Sequence, residues 1–248
     1  MKQIMQFVQN PFLPEGKVCL CISALPISGI NCICPPSVDC LPPSMRRHAD
    51  LQVVHLGGRY VLSAPEVYNF YKEALVPYGF EVLRGESPIG STYPEDAAYT
   101  IVRVGNVVFH NLKIMDPVAG KFFEENGIEC IHVRQGYAKC MCLPIDATSL
   151  ITADKGIVKA AEKAGLSVLE IAPGGISLPG FSYGFLGGAA GKTDKNIVYV
   201  TGALSNHPSK LEIFTFLKNR GIKLKEGSIP IPIDIGSIIP LMEIRSGA

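Results

Sequence analysis

The 248-residue chain lacks any apolar run of about 18 residues, so no membrane-spanning helix is expected. It also lacks a basic excess. Its 23 Lys and Arg against 22 Asp and Glu leave a net charge of +1, which argues against the electrostatic footprint that nucleic acid requires. The opening stretch, MKQIMQFVQNPFLPEG, has no apolar h-region. No secretory signal is read there, and a cytoplasmic location is expected. What the chain does have is 47% hydrophobic and 18% charged residues, the balance of a globular domain with a full core rather than of a disordered segment.

The zinc-type C-x2-C spacing is missing, although there are eight cysteines, at positions 19, 21, 32, 34, 40, 130, 140 and 142. Six of them form three C-x-C pairs, and in a strand that spacing places both thiols on one face. The best metal set would be Cys32, Cys34, Cys40 and His48. The commoner reading is thiols packed in strands, so no metal and no cofactor is expected. The stretch RQGYAKCMCLP, residues 134–144, leaves three readings open for Cys140 and Cys142: nucleophile, ligand or packing.

Four segments follow one plan: strand, turn, strand, amphipathic helix, glycine, strand. The spacing predicts helices over about 65–76, 114–126, 156–164 and 208–220, each followed by a glycine, at Gly79, Gly127, Gly165 and Gly221. Those glycines suit the left-handed C-cap. Gly57-Gly58 and Gly105-Asn106 suit hairpin corners. Further turns are read at Ala153-Asp154 and at Lys192–Asn196, and FLGG is read as a strand. In the last helix Leu211, Phe214 and Leu217 form the expected core-facing stripe. The helix-ending glycines lie 48, 38 and 56 residues apart. That irregular period favours a closed array with loop insertions over a solenoid. DIGSIIPLMEI near the C-terminus, with KVCLCIS and GINCICPP near the N-terminus, supplies a fifth unit, which would close the ring and hide sheet edges. The expected fold is α/β: a single domain over 1–248 of five ββαβ units around a pseudo-fivefold axis. The units cover about 48–92, 93–137, 138–183, 184–227, and 228–248 plus 15–47.

This plan resembles the pentein superfamily, which includes arginine deiminase, agmatine deiminase, dimethylarginine hydrolase, amidinotransferases and a non-enzymatic ribosome anti-association factor. HADLQVVHLGGRYVLS looks like the pentein His-x-Asp strand and points to His48 and Asp50. QGYAKCMCLPI looks like the end of the final pentein unit and aligns Cys140 with the nucleophile. SLITADKGI looks like the hairpin whose aspartate grips a guanidinium group and points to Asp154. The order of units is circularly permuted, which a closed ring with adjacent ends tolerates. The sequence departs from the pattern at two places. FLGGAAG stands where penteins carry EGGD, and GYAK stands where they carry GGGxH before the cysteine. The layout is also similar to an uncharacterised bacterial family.

The resemblance implies a covalent cysteine hydrolase or transferase acting on a small guanidine or amidine. A thiolate suits an amidine carbon held as a cation. Cys140 would attack, His48 would exchange the proton, Asp50 would orient substrate or imidazole, and Asp154 would pair with the guanidinium by two parallel bonds. Asp96, in YPEDAAY, is a second candidate carboxylate for substrate. On this reading Cys140 shares a strand with Cys142, Lys139 points to the opposite face, and Cys140, His48 and Asp154 converge on the axis. The loss of EGGD favours the alternative, a non-catalytic module that binds a small ligand or a protein. A small-molecule partner is expected, with no nucleic acid and no membrane; oligomeric state is left open. LGGAAGKT at 186–193 fails the phosphate-loop spacing, since Leu186 replaces the first glycine. HPSKLEIF at 207–214 reads as a helix start.

Overall fold

Hairpin corners and helix stops divide the chain, and a computed structural model describes residues 3–246. Gly79, Gly127, Gly165 and Gly221 all take positive φ, as the left-handed stop of a helix requires. Each sits between a helix and the last strand of its unit. The first unit holds β4 (Val53–Gly57), β5 (Tyr60–Ser63), α1 (Tyr68–Leu75) and β6 (Glu81–Arg84). The second holds β7 (Val102–Val104), β8 (Val107–His110), α2 (Pro117–Glu125) and β9 (Glu129–His132). The third holds the helical turn α3 (Ala138–Met141), β10 (Cys142–Asp146), β11 (Ser149–Thr152), α4 (Lys155–Lys163) and β12 (Ser167–Glu170). The fourth holds the turn α5 (Leu186–Ala189), β13 (Ala190–Asp194), β14 (Ile197–Gly202), α6 (Lys210–Lys218) and β15 (Lys223–Ile229). In every unit the first two strands pair antiparallel and the last two parallel.

The fifth sheet is built by both ends of the chain. Its order is β1 (Gln3–Phe7), β16 (Ile239–Ser246), β2 (Lys17–Ile22), β3 (Asn31–Ile33). β16 runs antiparallel to β2 and β2 parallel to β3, which repeats the pairing of the other four sheets. β1 adds an antiparallel outer strand. Glu243, completely buried in β16, accepts the backbone N–H groups of Glu15 and Gly16 and an ion pair from Arg245, so the two ends are fastened by charge-assisted bonds.

Several expectations need correction. The fifth sheet has no helix between β2 and β3 among the described residues, so five identical ββαβ units do not occur. The turn of the third hairpin is Ala147-Thr148, not Ala153-Asp154. FLGG is not a strand, because residues 186–189 form a helical turn. The Gly-Lys-Thr of residues 191–193 lies inside β13. In α6 the buried stripe is Ile213 and Leu217, whereas Leu211 is 76% and Phe214 53% exposed.

The core is one large cluster around β4–β9 with α1 and α2, plus two smaller ones, around β10–β14 with α6 and around β2 with Ile235 and Ile238. Tyr71, Tyr99, Phe109 and Phe123 are its bulkiest enclosed side chains. The sheets adjoin through their first strands, β7 with β10, β10 with β13, and β13 with β2 and β16. The short runs leading into those first strands are therefore brought close together.

Candidate active site

Each run that leads into a first strand contributes a polar side chain or a bare backbone. Before β4 comes a 3-10 turn, Ala49–Leu51, headed by His48 and carrying Asp50. Before β10 comes α3 with Lys139 and Cys140. Before β13 comes α5 with Gly187 and Gly188. Before β16 come Asp234, Gly236 and Ser237. Backbone bonds sew these runs together: Asp50 N–H donates to Gly236 O, Ser237 N–H and Ile235 N–H to Gly188 O, and Lys139 N–H to Thr100 O.

At the centre the Cys140 thiol donates to Asp50 Oδ2 at 3.0 Å, across 90 residues of chain. Ser237 Oγ donates to the same oxygen at 2.7 Å. Lys139 Nζ donates to Ser237 Oγ at 3.1 Å and to Gly187 O at 2.9 Å. His48 Nδ1 stands 3.9 Å from Asp234 Oδ1, and the Asp234 carboxylate accepts the N–H groups of Phe185 and Gly236. His48 Nε2 and Asp50 Oδ1 are buried without a protein partner. The glycines make this approach possible. A Cβ at Gly187 would collide with the Cys142 carbonyl, one at Gly188 with Asp234, and one at Gly236, which has φ +72, with His48.

The cluster is dry: Cys140 is 4%, Asp50 1%, Asp234 3% and Lys139 1% exposed. Burial pushes the Cys140 thiol well above its ordinary value, and the charges of Asp50 and Asp234 push it the same way, while Lys139 opposes them. Burial also raises Asp234, with His48 pulling it back down. These are the directions that desolvation and neighbouring charge dictate.

Beside the cluster lies an open cavity of about 770 Å³, lined among others by Tyr93, His132, Arg134, Gln135, Tyr137 and Asp154. Tyr137 also lies close enough to Cys140 to feel its charge, and its hydroxyl donates to both oxygens of Asp96.

Of the five residues expected at a site, the structure brings together Cys140, Asp50 and, next to them, His48. Asp50 touches the thiol rather than the imidazole, whose carboxylate neighbour is Asp234. Asp154 does not converge with them. It caps α4 through Ile157 N–H, receives Gln135 Nε2 on its other oxygen, and lies on the cavity wall. It stands after β11, at the start of α4. Asp96 stands in the run before β7 and is held by Tyr137 instead of by the cluster. Cys140 is on a helical turn, not on the Cys142 strand, and Lys139 points inward, not to the opposite face. Asp234, Ser237 and Lys139 were missed. Their signal is positional, since DIGS stands before β16 as HAD stands before β4. Among the described residues no three His, Cys, Asp or Glu side chains are arranged to hold a metal ion, and no helix is long and apolar enough to cross a membrane. His207 Nδ1 accepts Ser209 N–H at the start of α6.

No curated protein matches the sequence. Solved structures do match the fold. The chain superposes on the DDAH of Pseudomonas aeruginosa, solved with citrulline, with TM-score 0.56 and 12% identity, covering 86% of this chain and 92% of that one. An amidinotransferase of the saxitoxin biosynthetic pathway from Microseira wollei matches with TM-score 0.53 and 12% identity, over 90% and 91% of the two chains. The agmatine deiminase of C. jejuni matches with TM-score 0.53 and 10% identity, over 92% of each chain. These likenesses establish the pentein fold. With the family model matching residues 19–239, the chain belongs to DUF6873, a family of unknown function.

Proposed function

We propose that this chain is a pentein-type cysteine enzyme acting on a small guanidine- or amidine-bearing substrate, its five units closed in a ring within one domain. One observation carries the reading: the Cys140 thiol meets Asp50 at 3.0 Å inside a buried polar cluster, and His48, two residues before Asp50, holds a buried Nε2 with no protein partner. A packing cysteine needs no such company. The fold neighbours are named a DDAH, an amidinotransferase and an agmatine deiminase, and their names agree with this chemistry. A carboxylate in place of the one FLGGAAG lacks would come from another run, as Asp234, which packs against Gly188.

In the proposed reaction the Cys140 thiolate adds to the amidine carbon, forming the S–C bond. The C–N bond to the leaving amine then breaks as His48 delivers a proton to that nitrogen. Water, deprotonated by the same imidazole, adds to the S-bound carbon, and the S–C bond breaks to release the ureido product and the thiolate. Asp154 would offer its carboxylate to the cationic substrate from the cavity wall, with Asp96 acting behind it through Tyr137. A bound cation favours the thiolate and so offsets the burial that keeps the free thiol protonated. The second reading, a non-catalytic binding module, draws on that burial and on both Asp154 oxygens being engaged by the protein.

The decisive experiment is a screen of small guanidines and ureido compounds for ammonia or amine release, with Cys140→Ala as control. Release by the native chain that falls to background in the variant is the expected result. Equal release by both, or no release together with equal labelling of both by a haloacetamidine, rules the nucleophile assignment out.

A further inference from the structure

One buried cation has no part in that reaction. Lys139 is 1% exposed, yet lysine is among the residues least often fully enclosed without a partner. Its Nζ donates to Gly187 O and Ser237 Oγ, approaches Cys142 O at 3.5 Å, and lies 4.8 Å from the ring centre of Phe12. Ser237 passes the contact on: it accepts from Lys139, and of its two acceptors the charged one is nearer, Asp50 Oδ2 at 2.7 Å against Gly187 O at 3.0 Å. Its φ is +77, a left-handed conformation that glycine adopts freely and serine does not. A side chain is kept there against the backbone's preference, and its hydroxyl lies between the ammonium and the carboxylate, the pattern of strain held at a functional position.

We infer that Lys139 and Ser237 are positioning residues, a resident cationic arm that tempers the Asp50 carboxylate so that Cys140 can ionise. A bare carboxylate 3.0 Å from a thiol both holds the S–H proton and repels the thiolate. One that already accepts a hydroxyl backed by an ammonium does less of each. The charged and titratable groups facing Cys140 are Asp50, from the run before β4, Asp234, from the run before β16, and Tyr137 and Lys139 beside it in sequence. Asp50 faces in addition Tyr71 of α1, and Asp234 faces His48. Of the groups acting on Cys140, Lys139 is the one that favours the anion. The inference rests on Cys140 being the nucleophile, but not on which substrate it attacks.

The test is the rate of Cys140 alkylation by iodoacetamide, a neutral probe, across pH. Thiolate displaces iodide to form the S–C bond, and the thiol proton leaves to buffer. Peptide mass spectrometry resolves Cys140, with half-buried Cys130 as the reference for probe concentration. Below the thiol pKa the rate is proportional to the thiolate fraction, so any loss of thiolate is read directly as an equal loss of rate. Lys139→Met should slow Cys140 about tenfold or more at every pH below that pKa, and Ser237→Gly severalfold. Ser237→Gly relieves the positive-φ backbone while losing one buried hydroxyl, so it is expected to stay folded and covers the case in which Lys139→Met does not fold; its alkylation rate, read well below its own melting temperature, separates a positioning role from a structural one. Rates for Ser237→Gly that match the native chain overturn the inference, as does a native Cys140 that never labels. A relay-dependent rate with no guanidine turned over would remove the substrate assignment alone. Turnover with unchanged alkylation in Ser237→Gly would remove the arm alone.

Discussion

The buried cluster and the neighbouring cavity differ in almost every physical respect. The cluster packs two carboxylates, an ammonium, an imidazole and a thiol into a space with almost no solvent contact, where each group is held by another. The cavity is open, about 770 Å³, and lined by aromatic rings, an arginine and a carboxylate. Reactive chemistry thus sits in one place and room for a ligand in the other. Tyr137 belongs to both: it lines the cavity, heads the turn that carries Cys140, and is tied to Asp96. In the low-dielectric cluster each partner is costly to remove, while in the cavity solvent can replace what is lost.

The largest effect should therefore come from Asp234. Its carboxylate accepts two backbone N–H groups and faces His48. Asp234→Ala would strand both N–H groups in a dry site and leave the imidazole unmatched. A loss of about 2–5 kcal/mol is expected, the cost of leaving two buried N–H groups without acceptors, measured as the midpoint of urea unfolding. A loss under about 1 kcal/mol would mean that water enters the cluster, and the contrast with the cavity would disappear.

Much of this arrangement is legible from local chemistry. The glycine stops announce the helices, and Gly105-Asn106 the second hairpin, correctly, because a positive φ leaves a residue signature; the first hairpin turns one residue later than expected, at Gly58-Arg59, with Gly57 still paired to Tyr60. The third hairpin turns at Ala147-Thr148, where no glycine marks the corner and the signal is Asp146, whose Oδ1 accepts the Thr148 N–H and hydroxyl, a weaker cue than glycine, so the turn expected at Ala153-Asp154 is displaced. In KLEIFTFLK two stripes compete, Leu211-Phe214-Leu217 and Ile213-Leu217, and only the packing of α6 decides between them. Cys140, His48 and Asp50 are readable through their likeness to pentein motifs. Asp234, Ser237 and Lys139 are not, since each gains its meaning from runs tens of residues away. The glycines of FLGGAAG read as a missing motif, yet their lack of side chains is what lets the cluster close.

Thiol ionisation sharpens the comparison at alkaline pH. Burial pushes Cys142 up to about 12 and Cys140 well above its ordinary value of 9.0. A folded pKa above the unfolded one contributes stability that is complete below the unfolded value and is lost as pH rises through the folded one. Between pH 9 and 12, then, each thiol should cost the fold about 1.4 kcal/mol per pH unit. Cys142→Ala should flatten that alkaline decline relative to the native chain, whatever it does to stability at neutral pH. Chemical denaturation at a series of pH values gives the slope, and an unchanged slope would show that the thiols ionise in place.

The smallest effect is expected on the cavity wall. Asp154 holds Ile157 N–H as the cap of α4 and takes Gln135 Nε2 on its other oxygen. Asp154→Ala should cost about 1 kcal/mol, the usual value of a lost N-cap, because the bond is only part-buried. Asp154→Asn retains an acceptor for the cap and should recover most of that, while removing the charge a cationic substrate would meet. If Asp154→Asn is as stable as the native chain but binds or turns over guanidines at least tenfold less well, the aspartate serves the cavity as well as the helix. If stability and guanidine response are both unchanged, Asp154 is a cap alone, and substrate recognition must come from the Cys140 side.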